Sequence, residues 1–394
     1  MNISGSNKTF GPRVISDLAV RVACRALAAL ALASCSPLAL AQGPNQTIST
    51  SAGPAIVEKL AGGLVHPWGI ARLPDGRLLV TERAGRLRIL NTDGALSPPL
   101  AGTPAVVAVG QGGLLDVALD PDFADSRLVY LSFAEQGSGG GVSTAVGRGR
   151  LEGDRIADFQ VVFSQKPKVS GPNHFGGRIV FAPDGRLILT LGERFKSDPA
   201  QDLKSHLGKV IRVERDGRVP PDNPFVGRAD ALPEIWSYGH RNVQSAAFHP
   251  QTGELWIGEM GPRGGDELNR VEAGRNYGWP EVSWGRQYSG IDIPDPPTRP
   301  EFANSVLTWT PVISPAGMEF YQADAFKGWR GSMLVGGLTT REIVRIVIDG
   351  QSAREVERIP MGGRVRDLLV APDGTVLALT DADDGSVLRL RPVD

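Results

Sequence analysis

Downstream of residue 41 the chain has no cysteine, for its only two, Cys24 and Cys35, lie in the N-terminal segment. Thiol nucleophiles, thiolate metal sites and disulfide frameworks are thereby excluded from the rest of the chain. Excess charge of one sign is missing too. Forty-two Lys and Arg stand against 43 Asp and Glu, net −1, so neither a nucleic-acid surface nor an acidic tail is indicated. No apolar run is long enough to span a bilayer as a helix. Histidine is scarce, at five residues, and a general base must be sought among few. Gly-x-Ser-x-Gly, His-Glu-x-x-His, the P-loop and an early Rossmann glycine pattern are all absent.

The N-terminus has the layout of an export signal. Arg13, Arg21 and Arg25 precede the apolar stretch from Ala26 to Ala33, and Ala39-Leu-Ala41 forms an A-x-A cleavage site. Residues 1–41 are therefore expected to be a signal peptide, 42–54 a polar linker and 55–394 the folded domain. The mature protein is expected to be periplasmic or secreted. Leu32-Ala-Ser-Cys35 offers an alternative, lipid anchoring at Cys35.

Gly (49) and Pro (30) are abundant without a collagen period, which favours a turn-rich β protein. A hairpin unit built on a Pro-Asp-Gly turn recurs at Gly69–Glu82, Val117–Ser132, Ile179–Thr190, Ala246–Ile257 and Leu368–Leu379. A degenerate copy lies at Gly328–Val335. Six imperfect repeats, each expected to supply four short strands, predict an all-β, six-bladed β-propeller. The segment from Gly285 to Pro311, rich in Pro and Asp, reads as an insertion. Ser386–Arg391 is expected to pair with Ala55–Leu60 and close the ring.

In an antiparallel hairpin, residues equally far from the turn lie opposite one another. His174 and Glu193 flank the third turn in this way, Gln244 and Glu259 the fourth, Arg366 and Asp381 the sixth. Glu82 comes at the matching distance in the first. Polar groups thus recur at the open end of each hairpin, and a propeller gathers those ends at one mouth. His174, Glu193, Arg241, Gln244, Glu259, Arg364 and Arg366 are predicted to converge there.

His174 is the leading general base, with Glu193 to orient its ring. The other four histidines read as packing or turn residues. Arg364 and Arg366, joined by Arg241 and the amide of Asn242, suit an anionic ligand. Gln111 either donates to a ligand carbonyl or ends a strand. Glu267 and Tyr277, with main-chain carbonyls of the Gly- and Pro-rich 259–280 stretch, are candidates for a calcium site. The competing account of that stretch is a glycine-rich connection with surface charges.

These motifs together resemble the soluble pyrroloquinoline-quinone (PQQ)-dependent glucose/sorbosone dehydrogenase family, nearest its periplasmic aldose sugar dehydrogenases. The resemblance rests on Gly110-Gln-Gly-Gly-Leu-Leu, Asn173-His-Phe-Gly-Gly-Arg, Gly239-His-Arg-Asn-Val-Gln, Glu259-Met-Gly-Pro with Asp266-Glu, Asn276-Tyr-Gly-Trp-Pro and Arg364-Val-Arg-Asp. It implies a propeller carrying PQQ over its channel, with His174 as base for the sugar C1 hydroxyl and Glu193 in support. Gln111, Arg241, Asn242, Arg364 and Arg366 match quinone-contacting positions. The carbonyls of Gly261 and Pro262 match a Ca2+ site beside the cofactor, and Glu267 with Tyr277 a further Ca2+ site. Two positions depart from the pattern. Thr339 stands where glucose dehydrogenases of the family carry a cofactor-contacting lysine, and Asn173 replaces an aspartate.

The expected activity is therefore PQQ- and calcium-dependent oxidation of aldoses at C1 to lactones, with electrons passed to an external acceptor. No nucleic-acid partner and no transmembrane helix in the mature chain are expected. Two alternatives remain at this stage: a calcium-dependent propeller lactonase or other hydrolase, and a non-catalytic propeller that binds sugars or a protein.

Overall fold

Each Pro-Asp-Gly turn reverses the chain through a glycine at positive φ, 83° at Gly185 and 82° at Gly374. That conformation is open to glycine without strain. The hairpins so formed assemble, in a computed structural model that describes residues 45–393, into six antiparallel sheets. The innermost strands are Pro67–Arg72, Leu114–Leu119, Gly176–Phe181, Val243–Phe248, Pro315–Phe320 and Val365–Val370. Each lies beside the next, and the last returns to the first. The protein is a six-bladed β-propeller.

The second strand of each blade shows why the sheets stack. Alternate side chains point to opposite faces, and both faces meet a neighbouring blade. Leu79 packs toward the second blade while Val80 packs toward the sixth. Leu131 and Tyr130, Leu189 and Ile188, Val335 and Leu334 divide between their two neighbours in the same manner. A strand buried on both faces reads as a continuous apolar run, as Leu187–Leu191 and Val376–Thr380 do.

The ring closes as the sequence indicates. Gly53–Leu64 pairs antiparallel with Gly385–Pro392, from Ala55 opposite Pro392 to Leu64 opposite Gly385. The linker expected at 42–54 is in part corrected. Asn45–Thr50 forms a fifth strand on that blade, with Ile48 buried in its core and the polar Asn, Thr and Ser residues at the sheet edge. The first blade has three regular strands rather than four. Residues 96–101 cover its outer edge irregularly, through bonds such as Ser97 N–H to the Ile89 carbonyl (2.8 Å). In the degenerate fifth repeat a loop bearing the stacked pair Phe326 and Trp329 replaces the tight turn. The expected insertion carries one short 3-10 helix, Pro296–Thr298, and ends in the outer strand Leu307–Trp309. The signal-peptide and Cys35 expectations lie outside the described residues. No helix among the described residues is long and apolar enough to cross a membrane.

Every innermost strand is bulged against its partner. A bulge leaves a backbone group out of register and re-aims a side chain. In three blades a hydroxyl satisfies that group and ties it to the next blade. Thr81 accepts from Gly69 N–H and donates to the Leu115 carbonyl; Ser132 accepts from Asp116 N–H and donates to Gly177; Thr190 accepts from Arg178 N–H and donates to Val243. The bulges turn polar side chains toward the axis. Arg178 Nη1 there meets Asp116 Oδ1 at 2.9 Å and Asp367 Oδ2 at 3.0 Å, all three buried.

Candidate active site

The loops at the open ends of the hairpins enclose a cleft of about 500 Å³, within the range of small-molecule sites. Of the predicted residues, His174, Gln111, Arg241, Asn242, Gly261, Pro262, Arg364 and Arg366 line it. Gln244 lines it too. The carboxylates Glu193 and Glu259 do not. They stand one layer behind and act through hydrogen bonds.

Gly176 pairs with Leu191 at the end of the third hairpin, and the same register carries His174 opposite Glu193. Nδ1 of His174 lies 2.5 Å from Oε1 of Glu193. With that nitrogen donating to the carboxylate, Nε2 is left with a free lone pair to take a proton. The other oxygen of Glu193 accepts from the N–H groups of Lys196 and Ser197. Burial and the charge of Arg241 push the His174 pKa below the ordinary histidine value, against the opposing pull of Glu193. The imidazole is thus neutral and able to act as a base at neutral pH.

This corner is strained. His174, Arg194, Phe195 and Ser197 all have φ between 55° and 61° without being glycine. Such positions cost on the order of 1–3 kcal/mol each and persist only where surrounding structure holds them. Arg194 is the buried holding residue. It donates to the carbonyls of Gly171, Asn173 and Val142, and its guanidinium lies 3.5 Å from the Phe175 ring centroid. Burial pushes its pKa down to about 10. Sequence reading missed it; the clustering of Arg and Lys beside the Gly-Glu of Gly192-Glu193 was the only hint.

The opposite wall is basic. Arg366 donates to Gln244 Oε1 and Asp381 Oδ2, both at 2.5 Å. Asp381, paired with Arg366 and His66, is held down to about 2 despite its burial. Arg241 donates through Nη1 to the carbonyls of Met260 and Gly261 and through Nη2 to the Tyr288 hydroxyl. Arg364 is half-exposed and reaches the Leu338 carbonyl at 3.4 Å. A fourth arginine, Arg83, was not anticipated; it lines the cleft and donates to Gly110. The Nε atoms of Arg83, Arg241 and Arg366 are buried without a hydrogen-bond partner. Unpartnered buried donors are rare, and three around one cleft fit a polyanionic cofactor of the tricarboxylate PQQ kind.

Two further predicted contacts are revised. Thr339 is exposed and does not line the cleft; its hydroxyl bonds Ser314 Oγ at 2.6 Å, and Ser314 is the lining residue. The Thr339 N–H donates to the Ile313 carbonyl at 3.0 Å. His66, read as a packing residue, lines the cleft with φ 46°, its two nitrogens 2.8 Å from Asp381 and 2.9 Å from Asp383. Gln111 lies in a turn outside the strands, so it does not end one. It lines the cleft while its Oε1 accepts His174 N–H at 2.8 Å. Asn242 holds Gly176 N–H through Oδ1.

The two cation sites differ in fit. At the Gly261–Pro262 corner the Gly261 carbonyl is engaged by Arg241 at 2.8 Å, so a cation fits there only if that guanidinium turns away. Burial holds the adjacent Asp266 up at about 6, although Gly261 and Ser314 donate to it. Glu267 and Tyr277 do come together around a small separate cavity with Glu259. Water reaches Glu267 only in part, and burial followed by the charge of Glu259 pushes its carboxyl up to about 8. The buried Asn269 Oδ1 beside it has no partner. Asn269 Nδ2 donates to Glu267 Oε2 at 3.0 Å, and the oxygen-rich corner otherwise fits a hard cation. The Tyr277 hydroxyl is already used, donating to Arg270 and accepting from Glu272 N–H, so its share would come from the main chain.

One more constellation imitates a hydrolase triad. Ser237 Oγ lies 2.8 Å from His240 Nε2, and His240 Nδ1 lies 3.0 Å from Glu259 Oε2. Ser237 and His240 are wholly buried, so no substrate reaches the hydroxyl. The chain instead fixes Glu259, whose other oxygen accepts Arg241 N–H.

The family described as Glucose / Sorbosone dehydrogenase matches residues 64–389. The aldose sugar dehydrogenase YliI of Escherichia coli is 44% identical over 345 residues, covering 85% of this chain and 92% of the relative. The solved apo form of the soluble E. coli aldose sugar dehydrogenase superposes with a TM-score of 0.82, at 42% identity, over 86% of this chain and all of the other. A PQQ-bound aldose sugar dehydrogenase from Streptomyces coelicolor superposes with a TM-score of 0.69, at 30% identity, over 88% and 99% of the two chains. On the family match and these relatives, the chain belongs to the glucose/sorbosone dehydrogenase family of sugar-oxidising enzymes.

Proposed function

We propose that this protein oxidises aldoses at C1 to lactones with PQQ as its redox cofactor. The observation that carries the reading is the buried His174–Glu193 pair opening onto a cleft whose arginines have unpartnered donors. Arg241, Arg366, Arg364, Gln111 and Asn242 would hold the quinone, the arginines balancing its carboxylates. When bound, PQQ supplies an electron-poor carbonyl that accepts hydride from C1 of the sugar. His174 Nε2 takes the proton of the C1 hydroxyl, and Glu193 stabilises the imidazolium through Nδ1. Low pKa and low exposure keep the ring unprotonated before the sugar arrives.

Calcium would be held at Glu267 with main-chain oxygens near Tyr277. The Gly261 and Pro262 carbonyls are a second candidate, open to a cation once Arg241 turns away. Bound beside the quinone, calcium would act as a Lewis acid. Export to the periplasm or beyond, by cleavage after Ala41 or anchoring at Cys35, is supported by the N-terminal residues; electrons would then leave to an acceptor outside the cytoplasm. The metal-dependent hydrolase reading finds less support. Among the described residues no group of three or more His, Cys, Asp or Glu forms a side-chain metal cage.

The test is to add PQQ and Ca2+ to the purified protein and follow dye reduction with several aldoses. Sugar-dependent dye reduction and a shifted quinone spectrum are expected. Neither appearing would overturn the proposal.

A further inference from the structure

Among the described residues only two exposed large apolar side chains are aromatic, Phe195 at 52% and Tyr288 at 54%. They stand together, ring centroids 6.2 Å apart and tilted by 38°. Phe195 comes from the loop after the third hairpin, Tyr288 from the insertion in the fourth blade. Neither belongs to a core cluster, so packing does not explain them.

Both rings are held where they are. Phe195 sits in the left-handed region at φ 60°, between Arg194 at 61° and Ser197 at 59°. The loop is pinned on its far side by Glu193, which accepts from Lys196 and Ser197. The carboxylate that orients the base therefore also fixes the aromatic. The Phe195 ring stands edge-on to the His174 ring, 5.0 Å away and 81° to it. Tyr288 lines the cleft; its hydroxyl accepts from Arg241 Nη2 at 3.0 Å and its carbonyl from Arg263 at 3.3 Å.

We propose that Phe195 and Tyr288 form an aromatic clamp over His174 that grips the aldose ring by its C–H face and so determines sugar specificity. The inference rests on the sugar-oxidising reading of the cleft. A pyranose with equatorial hydroxyls presents axial C–H bonds on flat apolar faces, while its hydroxyls point outward around the rim. Aromatic faces suit that surface because they supply rigid apolar area of matching size. The clamp takes the face that bears the axial C2–H and C4–H bonds; an axial C4 hydroxyl breaks that face alone and leaves a polar group against the ring without a partner, which is unfavourable. The clamp selects glucose and xylose, whose ring hydroxyls can all be equatorial, over galactose, with its axial hydroxyl at C4.

The experiment uses the quinone-loaded full protein and reads KM and kcat separately for glucose, xylose and galactose. Phe195→Gly keeps the loop geometry, since glycine takes positive φ freely. It is expected to raise KM for glucose about five- to tenfold, to change kcat less than about twofold and to narrow the glucose-to-galactose ratio of kcat/KM. Tyr288→Ala is expected to do the same more weakly, and Phe195→Trp to restore KM. Quinone affinity, read from the cofactor's absorbance, is expected to be unchanged in Phe195→Gly. An unaltered KM in Phe195→Gly, or a fall in kcat alone, would overturn the clamp, the latter making Phe195 a mere support of the His174 ring. Wild-type protein lacking quinone-dependent turnover would remove the underlying reading and the clamp with it.

Discussion

Glu193 serves His174 at one oxygen and the 196–197 main chain at the other, 2.5 Å from the imidazole nitrogen and 2.9 Å from Ser197 N–H. Orientation of the base and shape of the loop thus share one carboxylate. His174→Ala should lower turnover by on the order of 10²–10⁴-fold. Glu193→Gln keeps one of the two acceptor oxygens, turns the other into a donor and removes the charge. Since Glu193 raises the His174 pKa, its neutralisation lowers that pKa further, and the acid limb of the kcat/KM profile should shift to lower pH. Turnover should fall at the same time, because the imidazolium formed in the reaction loses its counter-charge. A profile unmoved by Glu193→Gln would show the pair to be structural.

The arginine wall makes a separable prediction. Arg241 and Arg366 each carry a buried nitrogen without a partner, and each would spend it on the anionic cofactor. A hydrogen bond to a charged group contributes roughly 1.5–3 kcal/mol. Arg366→Met should therefore weaken PQQ binding by about 10- to 100-fold in an absorbance titration. Thr339→Lys is a gain-of-contact test with a negative expectation. Thr339 is exposed and outside the cleft lining, its hydroxyl held by Ser314, so quinone affinity should change less than about threefold.

Much of this was readable from residue order. Equal spacing about a turn put His174 opposite Glu193, because hairpin register is arithmetic. It likewise brought Arg366 to Asp381. What could not be read was which side of a bulge each residue takes. The bulges re-aim Asp116, Arg178 and Asp367 toward the channel, and no local residue type signals that outcome, or that Glu193 and Glu259 stand outside the cleft lining. Arg83, His66 and Tyr288 reach the cleft from loops whose course depends on neighbouring blades. Asn45–Thr50 reads as linker because a solvated edge strand is as polar as one.

The axial triad predicts an unusual pH dependence of stability. Asp116 and Asp367 face one Arg178 nitrogen. Burial raises both carboxyls, and at Asp116 the charge of Asp367 adds to it, to about 7. Between about pH 4 and 7 the folded protein then binds a proton that the unfolded chain has released, so stability falls as pH rises. Asp367→Asn keeps an oxygen for Ile70 N–H and removes one charge. Its thermal midpoint should be less sensitive to pH from 5 to 8 and no lower than wild type at pH 8. Arg178→Leu strands both carboxylates and should cost roughly 3–5 kcal/mol. A denaturant titration of the three proteins at two pH values checks both signs.

Glu267 gives the cation proposal a test that does not pass through activity. Its carboxyl, pushed up to about 8 by burial and by Glu259, holds a proton at neutral pH until a cation displaces it. Binding should therefore release close to one proton at pH 7, and calcium affinity should rise as pH climbs toward 8. A ligand that binds only the folded state stabilises it by mass action, about 2.7 kcal/mol at 100 times its Kd. Chelator-treated protein should thus melt several degrees higher on calcium addition. Glu267→Gln should abolish that rise and the proton release together, while melting without calcium at or above the wild-type temperature, since a buried proton-hungry carboxyl has been replaced by a neutral amide. A calcium-induced rise equal in the variant and the wild type would move the ion elsewhere, and the Gly261–Pro262 corner, with Arg241 displaced, would be the place to look for it.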